Sequence, residues 1–143
     1  VLPEELQWQP GRGRLVEVSV RVLDADGTEV DAVASSFGVR TVSVTPESVL
    51  INGRPVFQRL VLDQAYWPAT HFTAPSEAEL RAEAELIRDL GFNGLRMHQV
   101  SADPRFLRIC DELGLMVWAD VPAAYQFTPV ALAPTTFTAS GKT

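Results

Sequence analysis

Only one cysteine, two histidines and two asparagines occur among the 143 residues, and each scarcity excludes something. The lone Cys110 allows no disulfide within the chain, so stability must come from a packed core, and its place on the apolar side of a helix predicts core packing rather than reactivity. Asp63, His71, His98 and Asp120 are conceivable metal ligands, but no H-x-x-x-H or similar spacing joins them, so neither a metal nor another cofactor is expected. Positive charge is also scarce: 12 basic against 18 acidic residues leave a net charge of −6, with no basic cluster to follow a phosphate backbone, so no nucleic-acid partner is expected. There is no run of about 18 apolar residues and no basic-then-apolar leader, which predicts no membrane span and no signal peptide. The compartment is not fixed by this, although the single cysteine leans toward the cytoplasm. What remains is an ordinary globular composition, 46% hydrophobic and 21% charged, sufficient for a domain with a core. Val1 rather than methionine stands first, as expected of a chain that continues something longer.

The stretch from Gly91 to Asp120 is the most informative. Leu95-Arg96-Met97-His98 follows the turn pair Asn93-Gly94 and reads as a short buried strand that delivers Arg96 and His98 at its carboxyl end. Asp103 stands at a helix N-cap with Pro104 at the first helical position, where a missing N–H costs nothing. Phe106, Leu107, Ile109, Cys110 and Leu113 give that helix an apolar side, and Gly114 suits the left-handed position beyond it. The apolar run Leu115 to Ala119, ending in Asp120, reads as a second buried strand, which completes a βαβ pattern.

Earlier in the chain, the Gly-x-Gly at Gly11 to Gly13 is too weak a signal for a phosphate loop. Val16, Val18, Val20 and Val22 alternate with polar residues, predicting a strand with one buried face, and Asp24-Ala25-Asp26-Gly27 forms its turn. Val30 to Val33 returns, and Ser35 to Val44 reads as a third extended run. Together these suggest part of an antiparallel β-sandwich. Asn52-Gly53 between apolar runs marks a hairpin, after which Phe57 to Leu62 reads as a strand delivering Asp63 and Gln64. Ser76-x-x-Glu79 is a capping box for a helix whose buried side is Leu80, Ala84, Ile87 and Leu90 and whose solvated face carries Glu77, Arg81, Glu83, Glu85 and Arg88. Pro122 to Thr143 has a single charge, Lys142, and no helical periodicity.

These motifs in this order resemble glycoside hydrolase family 2, the retaining β-galactosidase, β-glucuronidase and β-mannosidase group. The likeness rests on G-F-N-x-x-R at Gly91 to Arg96, D-P-R-F at Asp103 to Phe106, D-E-L-G-L at Asp111 to Leu115, and an acidic residue closing the next strand. The variant R-x-H-Q at Arg96 to Gln99, followed by V-W-x-D-x-P-x-A-Y from Val117 to Tyr125, resembles a bacterial branch of that family. W-x-P at Trp8 to Pro10, the D-x-D-G turn and F-G-x-R-T at Phe37 to Thr41 fit the immunoglobulin-like domain that precedes the family's catalytic barrel. The resemblance covers roughly residues 8 to 130. It implies an α/β chain with an all-β N-terminal part: the last strands of a β-sandwich at 1–45, the first three β/α units of an incomplete TIM (β/α)₈ barrel at 46–124, and an irregular tail at 125–143. A closed barrel needs about 200 residues or more.

The family takes its acid/base and its nucleophile from glutamates on later barrel strands. Here Asn52 and Asn93 are the only asparagines and each precedes glycine, so the Asn-Glu pair of the acid/base is absent, no catalytic residue is expected and the chain alone should be inactive. The resemblance implies supporting or substrate-binding roles instead. Arg96 matches an arginine that holds the nucleophile ionised, with a structural ion pair as its plainer reading. Gln99 takes the place of a sugar-contacting histidine, with His98 one residue earlier as either a sugar ligand or a core histidine. Asp120 replaces a glutamate at the end of the third strand, and Asp63 lies at the end of the first, where it is either a substrate contact or a loop cap. Trp67, Trp118 and Tyr125 are candidate stacking platforms for sugars, with Trp118 expected in the core. The partner implied is a carbohydrate carrying a terminal β-glycoside, and open sheet edges point to a complementing chain or a homo-oligomer. Two alternatives stay open: a non-catalytic carbohydrate-binding module, and a truncated gene product.

Overall fold

The computed structural model describes residues 3 to 122; the expected tail at 125–143, Tyr125 included, lies outside the described residues. A single 3₁₀ turn at Glu4–Leu6 precedes the first hairpin. Alternating valines build β1 (Val16–Leu23), which pairs antiparallel with β2 (Glu29–Phe37). The turn between them is made by Asp24, whose Oδ1 accepts from the N–H groups of Asp26 and Thr28 at 2.9 Å, and by Gly27 at φ +81°. The register sets Val16, Val18 and Val20 opposite Phe37, Ser35 and Val33, so these side chains share one face. That face was expected to be buried, yet Val20, Val22, Val33 and Phe37 are 47 to 58% exposed, because among the described residues no other strand or helix packs closely on the β1–β2 hairpin.

The extended run expected from Ser35 to Val44 is broken in two. The cause is Trp8, which is 2% exposed. Its N–H donates to the Val39 carbonyl at 2.9 Å, and Gly38 lies so close that an added Cβ would sit 3.3 Å from the indole. The chain leaves β2 there, and β3 (Val42–Val44) joins β4 (Val49–Ile51) and β5 (Arg54–Val56) in a separate antiparallel sheet that runs across residue 45. Asn52 and Gly53, at φ +52° and +75°, form the β4–β5 turn.

A third sheet holds β6 (Leu60–Asp63), β7 (Gly94–Met97) and β8 (Met116–Ala119), all parallel and adjacent in sequence order. The first of these starts three residues later than expected. Residues 57–59 are instead a link clamped by Asn93, which donates from Nδ2 to the Phe57 carbonyl and accepts at Oδ1 from the Arg59 N–H, both at 2.8 Å. The crossovers are α1 (Glu77–Asp89) and α2 (Pro104–Leu113). Ser76 caps α1 by accepting from the Glu79 N–H at 3.2 Å, Asp103 caps α2 through the Arg105 N–H at 2.9 Å, and Gly114 closes α2 at φ +73°.

The core lies where these helices meet one face of the parallel sheet: Leu80, Ala84 and Ile87 from α1, Leu95 and Met97 from β7, Phe106, Ile109 and Cys110 from α2, and Leu115. Burying a side chain such as Leu95 or Ile109 contributes about 1.5–3 kcal/mol. Exposed ion pairs between the helices, Arg81–Glu112 at 2.6 Å and Arg108–Glu77 at 2.5 Å, add at most about 1 kcal/mol each. Three expectations fail at the edge of this core. Leu90 is 67% exposed because it caps α1 rather than continuing its buried stripe. Trp118 is 55% exposed because the strands are buried on one face only, and the other carries Leu62, Arg96 and Trp118 in register. Glu83 is half-buried rather than solvated, since it shares the inward side of α1 with Leu80 and Ala84.

Trp8 also fastens the N-terminal segment to α2. Its Nε1 donates to the Asp111 carbonyl at 2.8 Å, the Arg40 guanidinium lies 4.8 Å from its ring, and the Asn52 Nδ2 donates to its carbonyl at 2.9 Å. Beside it the Gly11 N–H donates to the Gly114 carbonyl at 2.8 Å. Gly13 has no room for a side chain, because a Cβ there would fall 2.0 Å from the Glu112 carbonyl oxygen.

Candidate functional site

Three parallel strands end at one edge, and that edge gathers the polar groups. The ladder holds the ends level: His98 N–H donates to the Asp63 carbonyl at 2.8 Å, and Asp120 N–H to the Met97 carbonyl at 3.0 Å. Because side chains alternate along a strand, the residues that follow Leu62, Arg96 and Trp118 on the open face are Gln64, His98 and Asp120. Arg96 meets Asp120 with two hydrogen bonds, Nη2 to Oδ2 at 2.8 Å and Nε to Oδ1 at 3.3 Å, a fork geometry that fixes both planes. The Arg96 guanidinium holds the Asp120 carboxyl below the usual carboxylate range, by hydrogen bonding first and by charge second, with smaller help from His98 and the Gln99 N–H. Asp120 in turn raises the Arg96 pKa. The arginine side chain is 47% exposed and the aspartate side chain 17%, so the guanidinium keeps a free edge toward the open face.

His98 pairs with Gln64, Nδ1 to Nε2 at 2.7 Å. With the amide nitrogen donating, neutral His98 accepts at Nδ1 and carries its proton on Nε2. Gln99 turns the chain away from the strand end at φ +54°, and Ala65 and His71 hold similar left-handed conformations at φ +53° and +61°. Non-glycine residues adopt this region rarely.

Asp63 and Trp67 lie on the other side of the sheet. Asp63 Oδ1 accepts from the Ala65 N–H at 2.7 Å and so caps its own turn. Both residues line a cleft of about 630 Å³ with Phe72, Leu80, Glu83, Met97 and Phe106. Trp67 closes a tight loop by exchanging backbone hydrogen bonds with His71 at 2.7 and 2.8 Å, and Tyr66 rests on Phe72 with ring centroids 4.9 Å apart. The structure therefore joins Arg96 to Asp120 and His98 to Gln64 but separates Asp63 and Trp67 from them. It also brings into the cleft a residue that the sequence reading placed in solvent. Burial pushes the Glu83 carboxyl up to about 7, and the Asp63 charge adds to this. The signal was present, since 80, 83, 84 and 87 are helical neighbours. Cys110 is buried as expected, and burial pushes its thiol up to about 12.

No family model matches the chain. It is 29% identical over 110 residues to a β-galactosidase of Vibrio cholerae, covering 77% of this chain and 11% of that protein. To a putative β-glucuronidase of Formosa agariphila it is 30% identical over 123 residues, covering 85% and 12%. Among solved structures, Bifidobacterium dentium β-glucuronidase complexed with coumarin-3-O-glucuronide superimposes with a TM-score of 0.74 at 25% identity, over 82% of this chain and 19% of that one. The chain thus spans about a tenth of the length of the curated relatives it matches.

Proposed function

We propose that this chain, homologous over 80% of its length to a segment of the β-galactosidases and β-glucuronidases of glycoside hydrolase family 2, supplies the opening strands of a catalytic barrel and part of the wall that holds a sugar. On this reading residues 1–45 end an immunoglobulin-like sandwich, 46–124 are the first three β/α units, and 125–143 form a tail. The parent reaction is hydrolysis of a terminal β-glycoside with retention, which requires two carboxyl groups about 5–5.5 Å apart, one as acid/base and one as nucleophile. Neither glutamate is in the sequence, so the chain is inactive alone. Turnover needs further strands, from a complementing chain or a longer polypeptide.

The observation that carries the proposal is the convergence of Arg96, Asp120, His98 and Gln64 at the carboxyl ends of adjacent parallel strands, with the guanidinium half exposed on the open face. Substrates meet barrels at this end. Arg96, oriented by Asp120, is a positioning residue: its free edge faces the region where a nucleophilic carboxylate would lie, and its charge would keep that carboxylate ionised. His98, fixed by Gln64, would present its Nε2 proton to a sugar hydroxyl. Gln99, Asp63 and Trp67 are contacts of lower rank, because Asp63 already caps a turn and lies with Trp67 in the helix-side cleft.

A second reading, a carbohydrate-binding module, is favoured by the exposed aromatic pair Tyr66 and Phe72, at 63 and 69% exposure with ring centroids 4.9 Å apart. Two measurements separate the readings: hydrolysis of chromogenic β-galactosides and β-glucuronides by the chain alone, and NMR titration with galactose and glucuronic acid. We expect no hydrolysis, and sugar-dependent shifts at Arg96, His98 and Asp120. Turnover by the chain alone would refute the missing-glutamate argument. Shifts confined to Tyr66 and Phe72 would favour the binding module.

A further inference from the structure

We propose that Asn52-Gly53 is a site of spontaneous deamidation whose conversion loosens the N-terminal segment from the β4–β5 hairpin by removing the hydrogen bond to Trp8. In this reaction the Gly53 amide nitrogen attacks Cγ of Asn52, the Cγ–Nδ2 bond breaks, and ammonia leaves with the glycine proton. Water then opens the cyclic imide to aspartate or isoaspartate. No oxidant or cofactor is needed, and the co-reactant is water.

The chain contains two Asn-Gly pairs, and the fold treats them differently. At Asn52-Gly53 the glycine is exposed in a hairpin turn, and nothing lies within 4 Å of where its Cβ would be. The asparagine is held by its side chain, with Oδ1 accepting from the Thr41 N–H and Nδ2 donating to the Trp8 carbonyl, and by its own N–H donating to the Thr41 carbonyl, all at 2.9 Å, whereas the glycine nitrogen that must attack lies in the open turn. Releasing the two side-chain bonds frees the carboxamide for attack. At Asn93-Gly94 the glycine is enclosed between strands: a Cβ there would meet the Met116 carbonyl oxygen at 2.3 Å and the Leu60 side chain at 2.8 Å. Asn93 is itself bonded to both neighbouring strand entries, N–H to the Arg59 carbonyl and carbonyl to the Met116 N–H, each at 3.0 Å. The Gly94 nitrogen cannot swing toward Cγ unless the parallel sheet opens. Reaction at Asn52 thus needs a local opening and reaction at Asn93 a much larger one.

The product matters because of what Nδ2 does. An aspartate side chain at 52 has no N–H to offer, and it turns a carboxylate oxygen toward the Trp8 carbonyl, so acceptor faces acceptor. The hydrogen bond from the hairpin turn to the Trp8 segment is then lost, which leaves the exposed Arg54–Glu4 ion pair as the polar tie between β5 and the N-terminal segment.

The test keeps the intact chain warm at mildly alkaline pH and maps both peptides by mass spectrometry over time. Conversion at Asn52 should run at least about tenfold faster than at Asn93, as the difference in local opening requires. In parallel, Asn52→Asp should be cleaved faster by protease within the first 14 residues than the parent chain. Equal or faster conversion at Asn93, no conversion at Asn52 over a period in which the urea-unfolded chain reacts, or unchanged cleavage of Asn52→Asp would overturn the proposal. The mass comparison needs no variant, so it stands even where the substitution impairs folding.

Discussion

Replacing Glu83 by glutamine should stabilise the chain at neutral and alkaline pH while leaving it unchanged in acid. The carboxyl sits half-buried in the cleft between α1 and α2, facing the Asp63 charge, and its pKa rises from 4.5 to about 7. A raised carboxyl pKa means that the folded state holds the proton more tightly than the unfolded chain. Below 4.5 both states are protonated and the group costs nothing. Between 4.5 and about 7 the unfolded chain releases its proton while the folded one retains it, so the penalty grows with pH and is complete above about 7. At about 1.36 kcal/mol per unit the full displacement corresponds to about 3 kcal/mol. Solvent screening of a half-exposed side chain reduces this to about 1–2 kcal/mol. Glutamine keeps the shape and never ionises. Urea unfolding followed by tryptophan fluorescence should therefore give Glu83→Gln and the parent the same stability near pH 4, and a gain of about 1–2 kcal/mol for the variant near pH 8. A difference that did not change with pH, or a loss at pH 8, would refute the assignment of burial as the cause.

Three further outcomes follow from the geometry. Trp8→Phe keeps most of the packing but loses the bond from Nε1 to the Asp111 carbonyl and weakens the Arg40 contact, and should cost about 1–2 kcal/mol in urea unfolding. Arg96→Ala should let the Asp120 carboxyl titrate at higher pH than in the parent chain, read from its carboxyl carbon-13 shift; a titration left unchanged would mean that the guanidinium does not hold it. Cys110, buried with its thiol pushed up to about 12, should react with a thiol reagent at least about a hundredfold more slowly in the native chain than in urea.

Local signals were legible wherever local physics decides. Asp103, Pro104 and Gly114 bounded α2 correctly because capping and left-handed φ are properties of a few adjacent residues. Ser76 did the same for α1. The alternating valines named β1, and the Arg96 and Asp120 strand ends followed from the βαβ pattern. What could not be read was pairing at a distance. Nothing near Gly38 announces that Trp8 will interrupt the strand there, and Trp118 looks like a core residue until one knows which face of its strand the helices cover. Glu83 was misplaced for a different reason. A charge on a helix suggested solvent, while its spacing from Leu80 and Ala84 pointed inward, and the spacing decided the outcome. The separation of Asp63 from Arg96 likewise follows from strand parity, since adjacent strand positions face opposite sides of the sheet.

The bond from Trp8 to Asp111 spans 103 residues, and that span dictates an order of events. A chain emerging from the ribosome presents its tryptophan long before the helix end that will receive it. Through that interval the indole must remain unburied or find a temporary partner, because the backbone carbonyl it needs has not been made. The β1–β2 and β4–β5 hairpins can close from local contacts as they appear, whereas the junction between the N-terminal segment and α2 closes a long loop and should be among the last steps. A side chain near the start of the sequence thus records that the end of α2 has arrived.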